Sequence, residues 1–441
     1  MAAVQCGQVK NVRERTGKTF VGFGFGAIQS GLFLLEAYAS GRFSRFVVAE
    51  IDADLVRSVR RNKGRCRVNI ARPDRIDHLE LEAVELYNPR DPADRREIVE
   101  AVGGSDEMAT ALPSVEFYDA GGELSVARMI GDGLTGRAAR KVLPPGPPTI
   151  VYAAENHNQA AEFLAGHVAK YCPPQQSENL QVLNTVIGKM SGVITDGRTI
   201  SRMGLETIAP DIPRAVLVEQ FNRILISRIT LGGYRRGIEV FVEKDDLLPF
   251  EEAKLYGHNA VHALIAYLAD LKGLGTIAEA GRDRRIMDIA RKAFIDESGA
   301  ALVRRHAGLA DPLFTPEGYL GYADDLLARM ICPNLNDLVS RVGRDHVRKL
   351  GYDDRLYGTM RLALQYGVRP RNLALGAAAG VLSMIKRRPA VRPPVPHLPE
   401  HAGALTRPHL EKLLAGIWGS RTDEHRKGLI DLTWGAVEEL R

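Results

Sequence analysis

Residues Thr19 to Glu50 read TFVGFGFGAIQSGLFLLEAYASGRFSRFVVAE. The apolar run from Thr19 to Val21 leads into a glycine-rich segment, after which Leu32, Leu34, Leu35 and Tyr38 recur at roughly helical spacing. A second apolar run, Phe46 to Ala49, ends in Glu50. Strand, glycine turn, helix and strand make a βαβ unit within about 35 residues. Two registers of a dinucleotide fingerprint overlap in the turn. Gly22, Gly24 and Ala27 satisfy G-x-G-x-x-A, whereas Gly24 and Gly26 are followed by Gln29 where a third glycine is usual. In either register Gly24, Phe25, Gly26, Ala27 and Ile28 supply the tight turn and the helix amides that can face a pyrophosphate. Glu50 stands at about the interval at which a carboxylate takes the ribose hydroxyls, with Asp52 as a second candidate. A carboxylate there repels a 2′-phosphate, so NAD is expected in preference to NADP. The alternative is a glycine turn that only packs a helix on a sheet.

Working outward, Ile150 to Ala154 and Gln181 to Leu183 read as buried strands, separated by a helical stretch with Ala160, Phe163, Leu164 and Val168. This alternation predicts an α/β sheet with parallel strands. Between Leu79 and Pro148 the acidic and proline-rich pieces NPRDPAD and LPPGPP interrupt the pattern, and loops are expected there. After Pro249 the character changes to long helical patterns, Glu251 to Leu271 and Arg285 to Arg305. The expected architecture is an N-terminal Rossmann-type domain over residues 1–247 and an all-helical domain over 248–441. Pro389, Pro393, Pro394, Pro396 and Pro399 read as a surface linker before a last helical pair near Leu410 to Ile417 and Gly428 to Leu440.

A chain of 441 residues can bury two cores, and 45% apolar with 26% charged residues is ordinary globular composition. The 59 Lys and Arg are interleaved with 54 Asp and Glu, for a net charge of +5, which gives nucleic-acid binding little support. The cysteines Cys6, Cys66, Cys172 and Cys332 are scattered without metal-ligand spacing, so no metal site is expected. No apolar stretch approaches the ~20 residues that cross a bilayer. The start, MAAVQCGQVKNVRERTGK, has no signal-peptide core. The expectation is a cytoplasmic protein with reduced thiols and no membrane partner.

In the helical half, EEAKLYGHNAVHALIAYL carries Lys254, Asn259 and His262. At about 100° per residue Lys254 and His262 lie within ~80° of each other and Asn259 ~60° from His262, so all three can share one face. Oxidation of a secondary alcohol without a metal needs a base for the hydroxyl proton and donors for the alkoxide. A lysine with a depressed pKa and an asparagine amide suit those tasks, and a histidine can position substrate. A capped amphipathic helix with surface polar groups is the alternative on spacing alone.

In these and further segments the chain resembles the polyol-specific long-chain dehydrogenases, the mannitol-1-phosphate 5-dehydrogenases in particular. FGFGAIQSGLF resembles the family's glycine turn, AEIDADLV its acidic strand end, AAENHNQA its Glu-Asn segment and KLYGHNAVHALIAYL its K-x4-N-x2-H signature. DESGAALVRRHAG, NLNDLVSRVGRDHVRKLGYDDRLYG and RNLALGAAAG follow in the family's order. The resemblance implies Lys254 as general base in polyol oxidation and acid in ketose reduction, Asn156 and Asn259 as oxyanion donors, and His262 as the group that orients substrate. It implies NAD as cofactor, no zinc, and interconversion of mannitol 1-phosphate and fructose 6-phosphate. Thr110 to Pro113 resembles the family's cofactor-facing loop, and Arg341, Arg344, Lys349 and Arg355 are candidates for the substrate phosphate. Three departures stand out. Gln29 replaces a family glycine and is expected to crowd the pyrophosphate path; Gly188 and Lys189 replace Asp-Arg; and Leu79 to Pro148 otherwise matches poorly. A relative of the mannitol 2-dehydrogenase or fructuronate/tagaturonate reductase type, and an NAD-binding relative that has lost catalysis, remain alternatives.

Overall fold

Side chains along the first strand alternate between two apolar surfaces, Phe20 with one cluster and Val21 and Phe23 with the other, as do Val48 and Val47 in the next. A strand buried on both sides belongs inside a sheet covered on both faces. The computed structural model describes residues 17–139, 148–395 and 398–441. Residues 1–16 with Cys6, the run LPPGPP except its last proline, and Pro396 lie outside the described residues. The chain divides into two compact units, Met1–Leu248 and Pro249–Arg441.

The first unit holds twelve described strands: β1 (Lys18–Phe23), β2 (Phe43–Ala49), β3 (Cys66–Ala71), β4 (Ile76–Leu81), β5 (Val84–Tyr87), β6 (Glu107–Thr110), β7 (Thr149–Ala153), β8 (Leu180–Val186), β9 (Ser191–Ile194), β10 (Ala215–Glu219), β11 (Leu225–Ser227) and β12 (Val242–Lys244). The large sheet runs β12-β11-β8-β7-β6-β1-β2-β5. From β8 to β5 every pairing is parallel, while β11 pairs antiparallel with β8. Counted within that parallel block, β5-β2-β1-β6-β7-β8 is the 3-2-1-4-5-6 order of dinucleotide-binding sheets, with the order reversing between β1 and β6. This is a Rossmann-type unit. A second sheet, β4-β3-β10-β9, is inserted in the crossover from β2 to β5 and completed much later in the chain.

The loops expected from Leu79 to Pro148 are largely regular structure. This stretch contains part of β4, all of β5 and β6, and the helices Pro92–Gly103 and Val126–Ala139. The misleading residues are a helix start: Asp91 accepts from the amides of Ala93 (2.7 Å) and Asp94 (3.2 Å), with Pro92 at the first helical position. An acidic cap followed by proline satisfies amides that have no partner inside the helix.

In the second unit the described residues form helices, with one isolated bridge between Thr276 and Leu338 and no strand. The helix Arg371–Lys386 is buried from Leu373 to Ile385 and packs against Ala260–Leu271 and Arg426–Leu440. Its run of alanine and glycine lets these helices approach closely; a Cβ on Gly376 would sit 2.7 Å from Leu264. In the proline-rich segment Val391, Leu398 and Pro399 are buried and Arg392 to Pro394 exposed.

Candidate active site

Strand β1 ends at Phe23, so Gly24 makes the turn, with φ +81°. Its amide donates to the Ala49 carbonyl at 2.9 Å, and a Cβ there would come within 2.8 Å of the Ala111 carbonyl oxygen. Only glycine combines that φ with that approach. The fingerprint therefore runs Gly24, Gly26, position 29, at the edge where β1 and β6 diverge. Gln29 does not crowd the exposed side of the turn. Its side chain is fully buried against β1, where a Cβ on Gly22 would stand 2.0 Å from its Nε2. Gly22 of β1 leaves room for the carboxamide, whose Nε2 and Oε1 are buried without a hydrogen-bond partner among the described residues.

The Glu50 carboxylate bridges two turns, accepting from the Phe25 amide at 2.8 Å through Oε2 and from the Asp52 amide at 2.8 Å through Oε1. Asp52 caps the helix Ala53–Arg61 and pairs with Arg214 at 2.8 Å. Ile51, between the two acids, is 58% exposed. Gly26, Ala27 and Ile28 open the following helix, whose first amides have no partner within it. Exposed amides, a close-approach glycine and a partly exposed carboxylate fit a dinucleotide's pyrophosphate and ribose.

Beyond β6 and β7 a second carboxylate organises the loops. Glu155 is buried and accepts from the Thr110 hydroxyl (2.8 Å), the Leu112 amide (2.8 Å) and the Tyr118 hydroxyl. Burial pushes its carboxyl up, and these neutral donors only partly oppose that. Thr110 is thus a buried partner of Glu155, while Asn156, the next residue, is exposed. Lys189 is buried and opposes the upward push that burial exerts on Glu36.

In the helical unit the segment Ala253–Asn259 winds as a π-helix between the α-helices Leu248–Glu252 and Ala260–Leu271. The 100° step used for the sequence therefore does not hold between Lys254 and Asn259. Wide winding bonds each amide five residues back and leaves carbonyls to be met from outside. The Tyr256 carbonyl is met by the hydroxyls of Ser298 (2.9 Å) and Thr359 (3.1 Å). Lys254 and Asn259 lie half-buried on this turn, and Gly257 and His258 are buried beneath it. Burial pulls the Lys254 amine down to about 8, with Glu251 opposing and Arg355 reinforcing the shift. The buried His258 ring, 6.0 Å from that of His262, is pushed well below the usual histidine range by burial and the cations around it.

His262 follows on the α-helix, with Nε2 3.0 Å from Asp337 Oδ2, off the axis of a good hydrogen bond. Asp337 Oδ1 accepts from Arg341 Nε (3.1 Å) and Nη2 (2.7 Å). Of the other phosphate candidates, Arg355 bonds Asp354 at 2.7 Å, and Arg344 is 70% exposed beside Asp345. Lys349 is buried, donates to the Val342 carbonyl, and is lowered to about 7 by burial, Arg355 and Arg348. Glu155 and Asp337 have no periodic signature; Glu155 adjoins Asn156 in the Glu-Asn segment, which was its one available signal.

The fold and these groups define a dinucleotide-binding unit followed by a helical unit that carries a desolvated lysine. Residues 246–386 match the mannitol dehydrogenase C-terminal domain. It is 26% identical over 317 residues to a mannitol-1-phosphate 5-dehydrogenase of Brevibacillus brevis, covering 71% of this chain and 78% of that protein. In fold it is similar to a D-sorbitol dehydrogenase (TM-score 0.73, 12% identity, 98% of this chain and 94% of the other). It is also similar to the mannitol 2-dehydrogenase of Pseudomonas fluorescens, solved with NAD and D-mannitol (TM-score 0.67, 14% identity, 98% and 93%). Among the described residues no group of three or more His, Cys, Asp or Glu could hold a metal, and no helix is long and apolar enough to cross a membrane.

Proposed function

We propose that the protein is a cytoplasmic NAD-dependent oxidoreductase that interconverts mannitol 1-phosphate and fructose 6-phosphate. The observation that carries this reading is Lys254, an amine brought to about 8 by burial on a π-turn that it shares with Asn259. NAD, when bound, supplies the hydride acceptor. The amides at Gly26 to Ile28 would meet its pyrophosphate and Glu50 its ribose, with the Glu50 charge opposing a 2′-phosphate.

In polyol oxidation the neutral Lys254 amine takes the proton of the secondary hydroxyl as hydride leaves its carbon. The Asn156 and Asn259 carboxamides donate to the oxygen while it carries charge, and His262 orients the neighbouring hydroxyls. In ketose reduction the Lys254 ammonium returns the proton to the carbonyl oxygen. The cations Arg341, Arg344, Lys349 and Arg355 are the candidates for the substrate phosphate. Similarity to the Brevibacillus enzyme supports the phosphorylated substrate.

One observation favours a second reading, an unphosphorylated polyol. Arg341, Lys349 and Arg355 are already bonded to Asp337, the Val342 carbonyl and Asp354. NADH oxidation measured in parallel with fructose 6-phosphate, fructose and a hexuronate, on wild type and Lys254→Ala, separates the readings. Turnover of fructose 6-phosphate alone, lost in the variant, supports the proposal. Turnover of fructose alone keeps the mechanism and removes the phosphate. NADH binding without turnover of any of the three marks a protein that has kept its cofactor and lost catalysis.

A further inference from the structure

Asp337 lies in the segment NLNDLVSRVG, where no role falls to it from the sequence, and its place is fixed from several sides. The Ile277 amide donates to its carbonyl at 2.9 Å, the Val339 amide donates to Gly275 at 3.0 Å, and Thr276 and Leu338 form an antiparallel bridge between the two segments. Arg341 holds Oδ1 with two nitrogens, and the side chain is almost fully buried. The remaining oxygen, Oδ2, faces His262 Nε2 at 3.0 Å. Histidine's χ2 well is broad, so a small ring rotation brings the N–H onto the carboxylate.

A carboxylate paired with an arginine is an acceptor only, so the ring nitrogen facing it must carry hydrogen. In a neutral imidazole the other nitrogen is then a lone-pair acceptor, because the partner of one nitrogen sets the state of the other. We propose that Asp337 is a positioning residue that holds His262 in the Nε2–H tautomer and so presents Nδ1 as acceptor for a substrate hydroxyl. This rests on the reading above for what His262 meets, but the tautomer itself does not depend on it. Burial alone would raise the Asp337 carboxyl, but His262 and Arg341 outweigh it and hold it below the usual carboxylate range, in keeping with an ionised partner. The arrangement is the one in which an oriented base or ligand histidine is held by a carboxylate behind it.

Two measurements test the assignment on the full-length protein. The first is the nitrogen spectrum of wild type labelled with 15N-histidine, with the His262 signals identified by their loss in His262→Asn. A protonated Nε2 and an unprotonated Nδ1 are expected, and the opposite pattern overturns the proposal whether or not any polyol is turned over. The second is a double-mutant cycle on kcat/KM for ketose reduction. Asp337→Asn is expected to lose about 10–100-fold in the wild-type background and nothing further in His262→Asn, with NADH affinity unchanged in both. Equal losses in the two backgrounds mean that Asp337 acts on folding or packing and not through His262, and overturn the proposal. If Asp337→Asn does not fold, the wild-type spectrum decides alone. Turnover failing with every ketose while Nε2 is protonated rejects the substrate reading and leaves this one standing.

Discussion

Gln29–Phe33 and Ala253–Asn259 are both π-wound stretches within longer helices, one beside the glycine turn and the other at the lysine. In the first all five residues are buried, and the groups left to meet a ligand are backbone amides and the Glu50 carboxylate. In the second Ala253, Gly257 and His258 are buried while Lys254 and Asn259 stay half-exposed. The same backbone device packs a helix under the glycine turn and leaves polar side chains half-exposed at the lysine. Backbone donors suit a cofactor that must be held whatever its redox state, whereas a proton in transit needs a side chain whose pKa the surroundings can set.

The largest expected effect falls on the side-chain site. Lys254→Ala should lower kcat by about 10²–10⁴-fold and leave NADH affinity, read by fluorescence titration, unchanged; a matching loss of NADH binding would erase the contrast between the two regions. The pH dependence sharpens the same point. An amine lowered to about 8 loses its proton earlier than an ordinary lysine. Polyol oxidation, which needs the neutral amine, should therefore rise with pH through about 8, and ketose reduction, which needs the ammonium, should fall through it. Profiles with no limb near 8 would assign the base elsewhere.

At the backbone site the critical pair is Gly22 and Gln29. A Cβ at Gly22 meets the Gln29 carboxamide at 2.0 Å, so Gly22→Ala should cost about 1–3 kcal/mol in denaturant unfolding, as overpacked cores do, and should weaken NADH binding. Gln29→Ala in that background should recover most of both; additive losses would mean that the two positions are not coupled. The smallest effect expected is from Ser298→Ala, which leaves the Tyr256 carbonyl to Thr359 alone. A loss of about 1 kcal/mol of stability with a modest fall in kcat is anticipated. A loss of kcat as large as that of Lys254→Ala would show that the π-turn itself, more than its lysine, sets the rate.

The strand, glycine turn and helix from β1 onward were legible because alternation and helical spacing are local signals, and Glu50 fell at a fixed interval from the turn. The helices and β-strands between Leu79 and Pro148 were not. β5 and β6 are four residues long, and the acid-proline start of the helix at Pro92 looks like a loop until its amides are seen bonded to Asp91. Strand β10 pairs with β3 across more than a hundred intervening residues, and no short-range pattern announces such a partner.

The sequence by itself determined a dinucleotide-binding half, a helical half, and the presence of Lys254, Asn259 and His262 in one segment, because each depends on periodicity or spacing within a few turns of chain. Only the tertiary structure decided that Gln29 lies under Gly22, that Ser298 and Thr359 hold open the turn at Tyr256, that Glu155 gathers Thr110, Leu112 and Tyr118, and that Asp337 stands behind His262. Each of these joins groups from separate elements, and whether two such groups meet, and at what cost in desolvation, is set by how the faces pack and not by the residues on either one.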